Sequence, residues 1–248
     1  MCLILFDFQP GSQLPLVVAA NRDEFHRRPT EAASFWDEHP HMLAGRDLEA
    51  GGTWLGCTKT GRFAALTNFS GPDDPTDALS RGQLVKDFLL SRHSSTAYAD
   101  AIPLPRYAGF NLLLFDGEEM VYTSNKAPMQ RLTAGTYGLS NAELGAAWPK
   151  CVRGRLALQQ SLKSDCTAET LLDILSDQHQ PGDDDLPQRG RPVELERATA
   201  TCFINGAEYG TRASTAIVFS RNHVAFTEQS FDAGGVRAGR VGFEFALA

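Results

Sequence analysis

Residues 2–25 read CLILFDFQPGSQLPLVVAANRDEF. Two apolar runs, 2–8 and 16–22, flank a turn built on Pro10, Gly11 and Pro15. That pattern predicts a β-hairpin whose first strand is buried. A hairpin places the end of its second strand beside the start of its first. Arg22 and Asp23 are therefore expected next to Cys2.

The rest of the chain continues in the same style. HMLAGRDLEAGGTWLGCTKTGRFAALTNF (41–69) reads as three strands joined by a Gly-Gly turn and a KTG turn. AGFNLLLFDGEEMVYTSN (108–125) is a hairpin about Asp-Gly, and TYGLSNA (136–142) is a short strand ending in polar residues. Helical spacing marks 76–91, with Asp77 or Ser80 as caps. It also marks 146–162 and 167–177, the last opened by Thr167. A Pro/Gly-rich charged loop occupies 180–192, and 200–231 closes with strands about an RNH turn. Strands in two clusters with short connections favour antiparallel sheets over alternating βαβ units. The expectation is an α+β fold with two antiparallel sheets face to face and helices outside. Neither a repeat nor a linker divides residues 1–248, which are expected to form a single domain.

Composition excludes several function classes. The formal charge is −7, against a general nucleic-acid-binding surface. Five cysteines, at 2, 57, 151, 166 and 202, form neither a CxxC nor a metal-ligand spacing, and their odd number fits a reducing compartment. LILF has no basic region before it and no small-residue cleavage site after it, so a secretory signal is not expected, and no apolar stretch approaches the roughly 18 residues of a membrane span. The reading is a cytoplasmic protein with no membrane span, no built-in metal or cofactor, and a small-molecule substrate or ligand as partner.

Cys2 admits two readings. It is a small apolar residue of a buried strand, or it becomes the N-terminus. Removal of Met1, which a small second residue generally permits, leaves a thiol and an α-amine on one residue. The amine, with a pKa near 7.7–8.0, is a local base for a thiol of pKa about 8.5. Asn21, Arg22, Asp23 and Glu24 then read either as a solvated charged turn or as a site, with a guanidinium favouring the thiolate and a carboxylate orienting the amine. AGRDLEAGGTWLG (44–56) is a tight turn about Gly51-Gly52, or the rim of a pocket in which Arg46 or Asp47 holds a polar group and Trp54 stacks on it.

MCLI, VVAANRDEF followed by RRPT, AGRDLEAGGTWLG, GRFAALTNF, GFNLLLFDG and YGTRASTAIV together resemble the NRDE-motif family, which includes transport and Golgi organisation 2. That family is in turn similar to N-terminal nucleophile hydrolases. The resemblance implies a four-layer αββα sandwich and cleavage of a non-peptide amide or related acyl bond. Residue by residue it implies Cys2 as nucleophile, Arg22 and Asp23 on the following strand, Asn68 and Asn141 as the asparagines that bind the oxyanion, and Arg212 as a late arginine. In the hydrolases the Arg and Asp are separated within an RNxD-like stretch, whereas here they are adjacent. Adjacent strand residues point to opposite faces, so both can face the thiol only where the strand bends. The family's association with haem handling and lipid homeostasis implies an alternative, a carrier that holds haem or another apolar acidic ligand without cutting it.

Overall fold

A computed structural model describes residues 2–69, 75, 77–164, 166–187 and 192–248. The opening hairpin is present as β1 (Cys2–Phe8) and β2 (Leu16–Phe25). Strands β3 (Thr30–Trp36), β4 (His39–Asp47), β5 (Leu55–Thr58) and β6 (Phe63–Asn68) follow. Helices α1 (Arg81–Leu90) and α2 (Ser95–Ala101) precede β7 (Phe110–Phe115), β8 (Met120–Ser124), β9 (Gln130–Arg131) and β10 (Gly135–Leu139). Helices α3 (Pro149–Ser164), α4 (Ala168–Leu175) and α5 (Val193–Ala198) lead to β11 (Tyr209–Phe219), β12 (His223–Asp232) and β13 (Val236–Ala246).

The strands form two sheets, a six-stranded one in the order β10-β1-β2-β11-β12-β13 and a seven-stranded one running β3 to β9 in sequence order. Every pairing is antiparallel. Helices α3 and α4 cover the outer face of the first sheet, and α1 and α2 that of the second. The fold is an αββα sandwich.

Burial on both faces explains the unbroken apolar runs. In β1, Ile4, Phe6 and Phe8 point between the sheets while Leu3 and Leu5 meet the helix layer. Strand β2 divides likewise, with Leu16, Val18 and Ala20 inward and Val17 and Ala19 toward the helices. Fully burying each large apolar side chain contributes about 1.5–3 kcal/mol, so these central strands are the anchor of the fold. Two edge counterparts escaped the sequence pattern: β13 is largely exposed and mixes charges with small residues, and β3 buries only Ala33 and Trp36. Helix α2 is a short run of mostly small residues capped by the Ser94 side chain on the Ala97 N–H. Of the predicted stretches, Thr76 and residues 188–191 lie outside the described residues. The Thr167 cap is present as a reciprocal pair, Thr170 N–H donating to Thr167 Oγ1 (3.2 Å) and Thr167 N–H to Thr170 Oγ1 (3.0 Å).

Candidate functional site

The β1–β2 register sets Cys2 opposite Arg22. Strand β2 then overhangs the start of β1 and pairs with β11, where Asp23 faces Thr211 and Arg22 faces Ala213. Arg212 is the extra residue between them, a β-bulge that absorbs one residue of β11. Around this overhang lies a cavity of about 360 Å³ whose wall includes Cys2, Arg22, Asp23, Asp47, Trp54 and Asn68. Glu24 also borders it, with its Oε1 accepting from the Phe25 N–H (2.8 Å).

The Arg22 and Asp23 side chains make separate sets of contacts on the wall they share with Cys2. Arg22 is 5% exposed, donates to Thr30 Oγ1 (3.1 Å), lies 3.9 Å from Asp47 and stacks over the Trp54 ring at 4.3 Å. Asp23 accepts from Thr211 Oγ1 (2.8 Å). Burial pushes the Cys2 thiol up from its ordinary pKa, and the Asp23 carboxylate adds to this, while the Asp23 backbone hydrogen bond and the Arg22 guanidinium pull it down. Asp23 is itself raised by burial, against the pull of buried Lys150 and the Thr211 hydroxyl. The register shift beside this pair falls in the partner strand, where Arg212 is the extra residue, while β2 runs unbroken from Leu16 to Phe25.

Asn141 stands on the other side of Cys2. Its Oδ1 accepts from the Cys2 N–H (3.3 Å) and its Nδ2 donates to the Asn68 carbonyl (2.6 Å). The two asparagines and the first residue of β1 thus form one chain of contacts. Three residues that sequence reasoning missed hold this tip in place. Ser140 Oγ donates to the Cys2 carbonyl (2.7 Å), and Thr67 Oγ1 donates to the Ser140 carbonyl (2.5 Å). Asn111 Nδ2 donates to Thr67 Oγ1 (3.0 Å) and to the Ser140 and Ala142 carbonyls (3.2 and 2.9 Å), and its Oδ1 accepts from Tyr122 OH (2.7 Å). The signal for Asn111 was a lone amide inside the apolar run FNLLLF, since a buried amide requires partners.

Other sequence candidates point elsewhere. Asn21 turns to the helix layer, where Nδ2 donates to the Leu175 and Cys202 carbonyls (2.9 and 2.8 Å) and Oδ1 accepts from Ser214 (2.6 Å). Arg46 pairs with Glu38 (2.7 Å) and stacks on Trp36 (4.4 Å), away from the cavity wall. Arg212 Nη1 donates to the carbonyls of Phe25, His26 and Arg28, at 3.2, 3.0 and 3.1 Å. It lines a neighbouring 300 Å³ pocket that also touches Arg22 and Trp54. Among the described residues no group of three or more His, Cys, Asp or Glu is placed to hold a metal ion, and no helix is long and apolar enough to cross a membrane.

The Gly51-Gly52 segment is both turn and rim. Gly51 has φ of 69°, and Asp47 Oδ1 closes the loop by accepting from the Glu49 and Ala50 N–H groups (3.0 and 3.2 Å). The other Asp47 oxygen takes Arg28 Nε (2.9 Å). Gly52 lies against Gly82 at the start of α1, where an added Cβ would stand 2.6 Å from the Gly82 carbonyl carbon. This contact makes α1 a wall of the cavity. Gly52→Ala is expected to force loop and helix apart and cost about 1–3 kcal/mol, read from the urea denaturation midpoint. An unchanged midpoint would remove this contact from the cavity's architecture.

A family profile described as Transport and Golgi organisation 2 matches residues 1–233. The Transport and Golgi organization 2 homolog of Mus musculus is 38% identical over 257 residues, covering 93% of each chain. The Homo sapiens homolog is 38% identical over 259 residues with the same coverage, and the Drosophila melanogaster protein is 29% identical over 262 residues, covering 93% of this chain and 92% of its own. Among solved structures, the C2A mutant of the conjugated bile acid hydrolase from Clostridium perfringens superposes with a TM-score of 0.57 at 10% identity, covering 99% of this chain and 92% of its own. A Caenorhabditis elegans ortholog of N-acylethanolamine-hydrolyzing acid amidase gives 0.54 at 11% identity, covering 88% and 92%. At such identities the likeness is one of fold.

Proposed function

The chain belongs to the Transport and Golgi organisation 2 family, and we propose that it acts as an N-terminal cysteine hydrolase on a non-peptide amide or related acyl bond. The observation that carries this reading is the position of Cys2: the first residue of a central strand, opposite Arg22, on the wall of a cavity it shares with Arg22 and Asp23, with its nitrogen hydrogen-bonded to Asn141. The fold shared with an N-acylethanolamine-hydrolyzing acid amidase ortholog and a conjugated bile acid hydrolase agrees with it.

With Met1 removed, the α-amine takes the thiol proton and Sγ attacks the substrate carbonyl. A C–S bond forms as the carbonyl electron pair moves to oxygen. Asn68 and a backbone N–H receive that oxyanion, each donor being worth on the order of 3–4 kcal/mol. Collapse breaks the C–N bond, and the ammonium returns its proton to the leaving amine. A water deprotonated by the same amine then releases the acyl group from sulfur. Asn141 Oδ1, which accepts from the Cys2 nitrogen, keeps the amine aimed during both steps.

A carrier of haem or another apolar acidic ligand is less well supported, because the carboxylates Asp23, Glu24 and Asp47 stand on the same cavity wall as Arg22, Arg28 and Arg81. The experiment is turnover of a panel of N-acyl p-nitroanilides and N-acyl amino acids, with intact-mass detection of an acyl adduct. Cys2→Ala still permits methionine removal, retains the amine and is expected to lose about 10³-fold or more in rate. A preparation that begins at Cys2 yet gives neither turnover nor adduct, or equal turnover by Cys2→Ala, overturns the proposal.

A further inference from the structure

Among the described residues, strand β13 is the last of the six-stranded sheet, with no strand beyond it. It is 11 residues long, about twice the usual strand length, and carries neither lysine nor proline, two of the devices that keep edge strands from pairing. Its only irregularity against β12 falls before Gly239, leaving 239–246 in unbroken register. Val241, Phe243 and Phe245 pack against the intersheet core but are only partly buried. Phe35 rings them at 5.7 Å from Phe243 and 5.4 Å from Phe245.

We propose that this edge is the interface of a two-fold dimer, in which β13 pairs antiparallel with β13 of a second copy about Gly242. The strand's own order of residues argues for that register. Around Gly242, Arg240 falls directly opposite Glu244 of the second copy, twice by symmetry. Val241 falls opposite Phe243, and Phe245 covers Gly239. Nothing lies within 4 Å of where a Cβ would stand at Gly239 or Gly242, so the room exists. Opposite charges and apolar pairs directly across a ladder are each stabilising. Shifting the axis to Arg240 sets the two arginines against each other. Shifting it to Val241 or Phe243 leaves Arg240 opposite Gly242 or Ala246. Only the Gly242 register of these pairs charge with charge and apolar with apolar. Arg240 keeps its exposed ion pair to Glu169 on α4, at 2.5 Å, on the same outer face. The product is one continuous sheet spanning both copies.

Sedimentation velocity on the full chain tests this. The wild type is expected to be dimeric at micromolar concentration. Arg240→Glu and Glu244→Arg each place like charges across the seam and are expected to be monomeric, with the circular dichroism spectrum of the folded wild type; Arg240→Glu also loses the ion pair to Glu169, so Glu244→Arg is the decisive variant. Mixed one to one, the two variants restore both charge pairs and are expected to form a heterodimer. A wild type that stays monomeric at high micromolar concentration overturns the proposal. So does a dimer that persists in Glu244→Arg, or a mixture that does not associate.

Discussion

Asn111→Leu is expected to lower the melting temperature by about 5–15 °C, the largest of the stability losses predicted for this chain. The side chain is fully buried and joins both sheets through Thr67, Ser140, Ala142 and Tyr122. Leucine fits the volume but accepts nothing from the Tyr122 hydroxyl and donates nothing to the Ala142 carbonyl. Each buried polar group left without a partner costs about 1–3 kcal/mol, and a chain of this size loses about 2–4 °C per kcal/mol. The Ser140 carbonyl is spared, since it keeps the Thr67 hydroxyl. The same substitution loosens the tip that holds the first residue of β1 through Ser140. Amide hydrogen exchange at residues 2–4 should therefore rise by more than the global loss of stability explains. Tyr122→Phe, which leaves the asparagine's donors in place, is expected to cost only about 1 kcal/mol. Equal effects from both variants would mean that the volume of the side chain, not its hydrogen bonds, sets the tip.

The residues that were legible in the sequence are those whose role is local. The hairpin of 2–25 announced its own register, because a turn of known length between two apolar runs fixes which residues face each other. From that register Cys2 and Arg22 follow directly. Asn21 shows where the reading by proximity alone fell short. It is the first residue of the NRDE motif, yet strand alternation turns its side chain to the helix layer, where it ties α4 and the segment at Cys202 to the sheet. Arg46 and Asp47 divide in the same manner, only the second reaching the cavity. Arg212 could be placed by no local pattern, since a bulge carries its guanidinium to the carbonyls of 25–28. β3 and β13 escaped the sequence pattern because neither is buried on both faces. In β13 Val241, Phe243 and Phe245 pack on the intersheet core and alternate with exposed residues, so no unbroken apolar run marks it.

Removal of Met1 is expected to change the pH dependence of Cys2 alkylation more than any substitution around it. In the unprocessed chain burial raises the thiol pKa. The thiolate, which is the reacting form, then appears only above the ordinary value of about 8.5. Alkylation by iodoacetamide should be slow at neutral pH and rise about tenfold per pH unit until the raised pKa is passed. Processing exposes an α-amine on the same residue, with a pKa near 7.7–8.0, able to accept the thiol proton at short range. The processed chain should react at least about tenfold faster at pH 7, the effect of one unit of pKa. A glutamine inserted between Met1 and Cys2 blocks methionine removal and supplies the comparison, since the bulky second residue keeps Met1 in place. Cys151 and Cys202 serve as internal references in both chains, because burial pushes their thiols up to about 11 and about 12. Peptide mass spectrometry across a pH series reads all three sites at once. Superimposable Cys2 profiles in the two chains would show that the amine contributes nothing, and the hydrolase reading would then lack its base.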